Sequence, residues 1–141
     1  MSGVAPRRAL YGKLAGDTTL TSLLGTPAAG YSQGIYYEVA PQTAAFPYVI
    51  FNKQAGTPRY ALASLAMDND IWLIKGVDRA TSADSVDNIA SRLDALLTDG
   101  TISISGKTQL YLRRESDVDY SETVDGVAYR HAGATFRLIY T

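Results

Sequence analysis

The sequence contains no cysteine and only one histidine in 141 residues. Without cysteine, the chain has no disulfide bonds, no thiolate metal site and no cysteine redox chemistry. With one histidine, it also lacks the paired histidines that mark many zinc sites. A chain of this length can bury roughly 70% of the surface exposed in its unfolded form, so we expect a single domain (1–141) that folds without metals or disulfides.

A basic excess and long apolar segments are also missing. Lysine and arginine number 13, aspartate and glutamate number 14, and the formal charge is −1. Nucleic-acid-binding domains usually carry a basic excess or stripe, and a membrane-spanning helix needs about 18 apolar residues in a row. The N-terminal MSGVAPRRAL has no apolar signal-peptide core. We therefore expect a soluble protein made in the cytoplasm, with neither a membrane nor a sequence-specific nucleic acid as partner.

Apolar residues recur at helical spacing in two segments. The first segment, Val4, Arg7, Leu10, Tyr11 and Leu14, predicts an N-terminal helix that ends at Gly16. The second contains Val86, Ile89, Ala90, Leu93, Leu96 and Leu97 and predicts a helix over residues 82–98. Thr81 or Ser82 is expected to cap this second helix, and Gly100 to end it.

Tyrosine is abundant, with ten copies in the chain. It is favoured in β-strands and enriched at protein interfaces. Alternating or apolar segments predict six strands: Ile35–Ala40, Phe46–Gln54, Ile71–Val77, Thr101–Ser105, Thr108–Glu115 and Val127–Thr141. Strands that follow one another without an intervening helix favour antiparallel pairing.

These elements predict an α+β fold with a four- to six-stranded, largely antiparallel sheet. The helix over residues 82–98 should cover one face, and the N-terminal helix should pack on the same face or along an edge. The segment Ala55–Asp70 is predicted as an extended loop, or as a long hairpin if both flanking strands continue. Gly133, inside the last strand, indicates a bulge or a close approach of two backbones.

Few residues have the pattern of a catalytic site. Asp78 and Arg79 follow a strand, where they could serve as a catalytic acid and a phosphate ligand. The glycine spacing of a dinucleotide-binding or Walker phosphate loop is missing, since only Gly76 precedes them in KGVDRATS. His131 falls on the more polar face of the last strand and is interpreted as a surface or interface histidine. We expect no catalytic site, no cofactor and no metal site.

Acidic residues cluster before the last strand. The run consists of Glu115, Asp117, Asp119, Glu122 and Asp125. We interpret it as a solvated connection closed by a turn at Asp125–Gly126, with a protein contact as an alternative. A calcium loop is a third possibility, but the glycine and the distal glutamate do not have the required spacing. Arg113 and Arg114 could pair with these carboxylates across the hairpin.

The whole chain resembles the tail terminator (tail completion) proteins of long-tailed bacteriophages. The resemblance rests on the order of LYGKLAGDTTLTSLLG, GIYYEVAPQTAAFPYVIF, IWLIKGVDR and ADSVDNIASRLDALL, followed by strands. It implies a structural virion protein that forms a ring of six subunits, caps the tail tube and ends its polymerisation. The implied partners are further copies of the chain, the tail tube protein and the head–tail connector (stopper) protein. DNA passing through the ring lumen is compatible with this assembly.

The family has no catalytic motif, so the candidate residues are interface residues. In the 55–70 segment they are Arg59, Tyr60, Asp68 and Asp70, and in the acidic run they are Glu115, Asp117, Asp119 and Glu122. Two rival hypotheses stay open. One is a small enzyme or ligand-binding domain that uses Asp78 and Arg79, and the other is a different neck or tail component with the same fold.

Overall fold

Three helices and five strands are formed by residues 4–61, 64–79 and 83–141, which a computed structural model describes. The helices are α1 (Val4–Ala15), α2 (Thr18–Thr21) and α3 (Asp84–Leu97). The strands are β1 (Ile35–Tyr37), β2 (Tyr48–Ala61), β3 (Ser64–Asp78), β4 (Gln109–Val124) and β5 (Val127–Tyr140). They form one sheet in the order β1-β2-β3-β5-β4.

The sheet is built from two long antiparallel hairpins, β2–β3 and β4–β5. The hairpins join through an antiparallel β3–β5 pair, and the short β1 lies parallel to β2 at one edge. This confirms the predicted α+β fold with a largely antiparallel sheet. The tips of the two hairpins lie at opposite ends of the sheet, because Asp68 pairs with Tyr140 and Asp78 with Arg130.

Helix α3 covers one face of the sheet and provides the centre of the core. Its residues Val86, Ile89, Leu93 and Leu97 are all fully buried, as their spacing predicts. They face alternate residues of β3 and β5, which are Trp72, Ile74, Phe136 and Leu138. Burial of each large apolar side chain contributes about 1.5–3 kcal/mol, so this layer is the main source of stability.

The N-terminal helices join the same core. Leu10 and Leu14 of α1 and Leu20 of α2 are fully buried against it. The Asp17 carboxylate caps α2 by accepting a hydrogen bond of 2.9 Å from the Leu20 amide. Helix α1 ends at Ala15, one residue before the predicted stop at Gly16.

Two glycines allow close approach around the central strand. A Cβ atom at Gly76 would lie 2.8 Å from Cγ2 of Ile89, so glycine lets α3 pack directly on β3. A Cβ atom at Gly133 would collide with the Ile74 carbonyl and with Lys75. The close approach predicted at Gly133 is therefore confirmed, whereas the bulges of this hairpin lie in β4.

Several predicted boundaries are wrong. Thr101–Ser105 is not a strand. The Gln109 side chain accepts a hydrogen bond from the Ile102 amide at 2.7 Å and donates one to the Gly100 carbonyl at 2.7 Å. These bonds take the place of backbone hydrogen bonds to a neighbouring strand. Ile102 and Ile104 still alternate into the core. The proposed caps Thr81 and Ser82 lie outside the described residues. Ala83 precedes the first turn of α3 and provides no side-chain hydrogen bond.

The described residues of the two predicted connections lie in strands. β2 extends to Ala61 and β3 begins at Ser64, so 55–70 forms the hairpin alternative rather than an irregular loop. β4 continues to Val124 and takes the acidic run into the ladder. Polar, charged and small residues weaken the sequence signal of a strand, but the paired neighbour still satisfies their backbone groups.

Candidate interaction surfaces

The base of the β2–β3 hairpin contains a buried ion pair. Lys53 Nζ lies 3.3 Å from Asp70 Oδ1, and the Tyr140 hydroxyl donates to Asp70 Oδ2 at 3.0 Å. The Asp70 side chain is 1% exposed, and Asp68 is also buried. Both carboxylates therefore point into the subunit, contrary to the expectation that they meet a partner. The basic group that Asp70 meets is Lys53 of its own chain.

The outer part of the same hairpin is exposed. Every residue from Gln54 to Tyr60 on β2 is exposed, and Tyr60 is 68% exposed. Arg59 pairs with Met67 in the ladder beyond the end of β5, so this part of the hairpin projects from the sheet. Arg59 and Tyr60 are thus exposed in the single subunit, and their role as interface residues stays a prediction.

Three acidic residues of β4 form ion pairs with arginines of the same sheet, and a fourth, Glu122, is hydrogen-bonded to His131. Arg137 contacts Glu115 at 2.6 Å, Arg130 contacts Asp119 at 2.8 Å and His131 contacts Glu122 at 2.7 Å. The fourth pair, Arg114 with Asp117, is within β4 at 3.2 Å. The prediction that Arg113 and Arg114 pair across the hairpin is wrong, because Arg113 contacts Asp99 and the cross-strand cations come from β5. The three pairs with arginine are partly exposed, so they orient the carboxylates but contribute little stability.

His131 is buried, which corrects its interpretation as a surface residue. The residue is 6% exposed, and its ring stacks on Tyr120 at a centroid distance of 4.4 Å. Lys75 donates to the Tyr120 hydroxyl at 2.7 Å. Burial, aided by the Lys75 ammonium, lowers the pKa of His131 below 6.5, and the hydrogen bond to Glu122 opposes this effect only in part.

A cleft of about 700 Å³ lies beside His131 on the sheet face opposite α3. Tyr48 and Arg79 also line it, and the Arg79 guanidinium lies 5.1 Å from the centre of the Phe46 ring. Burial raises the pKa of Tyr48 above 10.0, which makes it a poorer nucleophile. None of the described residues lining the cleft is a serine, threonine or cysteine. The described lining residues therefore do not include the hydroxyl or thiol nucleophile of a catalytic triad.

The side chains of Asp78 and Arg79 contact different parts of the structure. The Asp78 carboxylate accepts a hydrogen bond from the Ser85 hydroxyl at the start of α3, whereas Arg79 packs on Phe46. Asp78 therefore connects a strand to the following helix, and the two side chains do not converge on one ligand.

Among residues 4–61, 64–79 and 83–141, no cluster of three potential metal ligands is present. No helix in those ranges is long and apolar enough to cross a membrane.

An open groove of about 420 Å³ separates α3 from β4. Its walls include Asp87 and Asp94 from α3 and Asp117 and Asp119 from β4. Its floor is the small-residue stretch Ala132–Ala134 of β5. Arg114 lies between the two walls, 3.5 Å from Asp94, so the acidic character of the groove is partly neutralised.

A smaller, aromatic pocket lies between α1 and β1. It has a volume of about 240 Å³, and its walls include Tyr11, Tyr31, Tyr37 and Phe51. Arg7 and Arg8 of α1 also line this pocket. The Arg7 guanidinium lies 4.9 Å from the centre of the Tyr37 ring. Tyrosine and arginine are the residue types that most often dominate interface energetics.

Comparison of the sequence with models of protein families shows which family the chain belongs to. The model of the family described as tail completion protein gp17 matches residues 8–141. The chain belongs to this family. It is therefore a structural protein of phage tails. A comparison with curated protein sequences finds no relative.

Solved structures share the fold of this tail completion protein. A chain from the virion of a native gene transfer agent particle superposes with a TM-score of 0.74 at 19% identity, covering 96% of this chain and 94% of that chain. A second structure, of a protein without a functional description, has a TM-score of 0.57 at 19% identity, covering 96% and 92% of the two chains. At this identity the similarity establishes the fold alone.

Sequence reasoning missed the aromatic pocket of this tail completion protein. Arg7 and Arg8 were visible as a pair on α1, but Tyr31 lies in a loop and Phe51 in a strand. Only the parallel packing of β1 on β2, with α1 above them, brings these residues together. The adjacent arginines on a helix with an apolar side were the one signal that could have indicated it.

Proposed function

We propose that this protein forms a ring of six identical subunits on the end of the tail tube, in the virion. The ring stops tube polymerisation and joins the tail to the head connector protein. The observation that carries the proposal is the match of the tail completion family to residues 8–141, nearly the whole chain.

Two unpaired strand edges support assembly with other subunits. The outer edge of β4, 16 residues long, pairs with no strand of the described chain. On the other side, β1 pairs with β2 only as far as Phe51, which leaves the outer edge of the remaining β2 residues without a strand partner in the described ranges. Unpaired edges are natural templates for association, and a ring provides every subunit with two neighbours.

The projecting β2–β3 hairpin is the second support. Arg59 and Tyr60 near its tip are proposed to contact the neighbouring subunit or the tail tube protein. The exposed carboxylates Glu115, Asp117 and Asp119, with Glu122, are proposed to take part in the β4 surface. A near-neutral subunit, with a formal charge of −1, is compatible with DNA passing through the lumen.

Deletion of the gene tests the proposal. We expect filled heads and tails that stay separate, with tails of abnormal length, and normal particles when the wild-type gene is supplied in trans. Negative-stain images of the purified protein or of isolated tails should show rings or caps. Tails of normal length attached to filled heads would contradict the proposal. Separate heads and tails with a normal tail length would instead favour a different neck component with the same fold.

A further inference from the structure

The tip of the β4–β5 hairpin is an exposed apolar knob. Val124 and Val127 are cross-strand partners on either side of the Asp125–Gly126 turn, and they are 49% and 37% exposed. The ladder between β3 and β5 ends at Asp78 and Arg130, so the tip stands beyond the central strand. Both turn residues have positive φ, of 52° and 79°, which fixes a tight two-residue turn. The knob therefore combines two half-exposed valines with Asp125 at the turn, and Val124 also lines the rim of the cleft beside His131.

The aromatic pocket between α1 and β1 has the complementary character. Its walls are aromatic rings, and Arg7 and Arg8 provide two positive charges at the same place. None of the described residues that line it is acidic. Tyr31, on its wall, is 48% exposed, so the pocket is open to solvent in the single subunit. A fitting ligand combines aliphatic side chains with a carboxylate.

The positions of knob and pocket favour a second copy of this chain as that ligand. The pocket is formed by α1, β1 and β2, whereas the knob is the tip of the β4–β5 hairpin, so the two are different surfaces of the subunit. A contact between two different surfaces is head-to-tail, and it closes into a ring when the rotation between subunits allows. We propose that the Val124–Val127 knob of each subunit inserts into the aromatic pocket of the next subunit, with Asp125 facing Arg8. This inference rests on the proposed ring and names the contact that builds it.

Cysteine cross-linking tests this contact, because the natural chain has no cysteine. The full-length protein carrying both Tyr31→Cys and Val127→Cys is oxidised in solution and in assembled tails. We expect a ladder of disulfide-linked copies in non-reducing gels, with the largest band at the size of the closed ring. The matched control combines Val127→Cys with Ser22→Cys, an exposed residue of the α2 C-cap, and should give no ladder.

Charge exchange provides a second test that does not need disulfide geometry. Arg8→Glu should weaken self-association about tenfold, as expected for a removed interfacial charge pair. Asp125→Lys should weaken it similarly, and the two changes together should restore it. Sedimentation velocity of each variant measures these shifts, and circular dichroism checks that each variant is folded.

The outcomes separate this contact from the ring itself. Rings or capped tails that assemble without a Tyr31→Cys to Val127→Cys link would overturn the contact and leave the proposed function standing. A link from Tyr31→Cys to a different virion protein would also overturn it, because the pocket would then bind another partner. Absence of rings, caps and links in solution and in tails would overturn both.

Discussion

Asp17 and Arg92 form a two-pronged ion pair that joins α2 to α3. Arg92 Nε donates to Asp17 Oδ2 at 2.8 Å, and Nη2 donates to Oδ1 at 2.7 Å. The hydrogen bonds from Arg92 lower the pKa of Asp17 below 3.8. Because Asp17 also caps α2, one carboxylate orients the N-terminal helices on the main helix.

Asp17→Ala is expected to lower the free energy of unfolding at pH 7 by about 1–3 kcal/mol, through the lost cap and the lost charge-assisted bonds. The folded pKa is below the unfolded value, so the contribution is complete above pH 3.8 and is lost as the pH falls through the folded pKa. Urea denaturation at pH 7 and pH 3 measures the difference. Thr19→Ala, an exposed change on α2, is the control, and an equal effect of both changes would contradict the role of Asp17.

His131→Gln should remove a pH dependence of stability. The folded pKa of His131 lies below the unfolded value of 6.5, so the unfolded chain binds the proton more readily. The contribution of this residue to stability is therefore complete above pH 6.5 and decreases as the pH falls through the folded pKa. Thermal denaturation between pH 7.5 and 5, with the wild type beside the variant, measures it. Two melting curves that shift in parallel with pH would contradict the buried, neutral histidine.

Gly56→Ala should destabilise the β2–β3 hairpin. A Cβ atom there would lie 2.6 Å from Lys53 Cε and 2.9 Å from Asp70 Oδ1, so the end of the Lys53 side chain must move and its ion pair with the buried Asp70 is weakened. We expect a loss of about 1–3 kcal/mol in the free energy of unfolding. Gly12→Ala on α1 is the matched control, since a Cβ atom there meets nothing within 4 Å. Alanine at that helical position should instead stabilise the protein by about 0.5–1 kcal/mol.

Leu93→Ala should destabilise the subunit by about 2–5 kcal/mol, because Leu93 is fully buried at the centre of the α3 face. Asn88→Ala, an exposed change on the same helix, should stay within about 0.5 kcal/mol of the wild type. Chemical denaturation gives both values. A Leu93→Ala midpoint equal to that of the wild type would show that this face is not the core.

The double variant Arg59→Ala, Tyr60→Ala should leave the stability of the isolated subunit unchanged, because both residues are exposed at the outer end of the β2–β3 hairpin. Assembly should weaken, because both residues are proposed to contact a neighbour or the tube. Complementation of the gene deletion, scored as joined particles, measures assembly, with Gln54→Ala as an exposed control on the same strand. Full complementation by the double variant would reject this hairpin tip as an interface.

The helices and turns of this protein were determined by local sequence. The three-four spacing of Val86, Ile89, Leu93 and Leu97 predicts which face of α3 is buried, because helix geometry places such residues on one side wherever the helix lies. The Asp125–Gly126 turn follows in the same way from the low cost of positive φ at these two residue types. Gly133 signalled its close approach because no other residue leaves that space.

Tertiary structure alone decided the lengths of the strands and the surroundings of the polar residues. The acidic run belongs to β4 because β5 supplies both its backbone partners and the cations that face it. These cations lie far along the chain, as Arg137 does at 22 positions from Glu115. Asp70 and His131 carry no sequence signal for burial, since their partners Lys53, Tyr140 and Tyr120 come from other strands. Alternation describes only the two faces of a single strand, whereas burial of a charge depends on which distant group the sheet places opposite it.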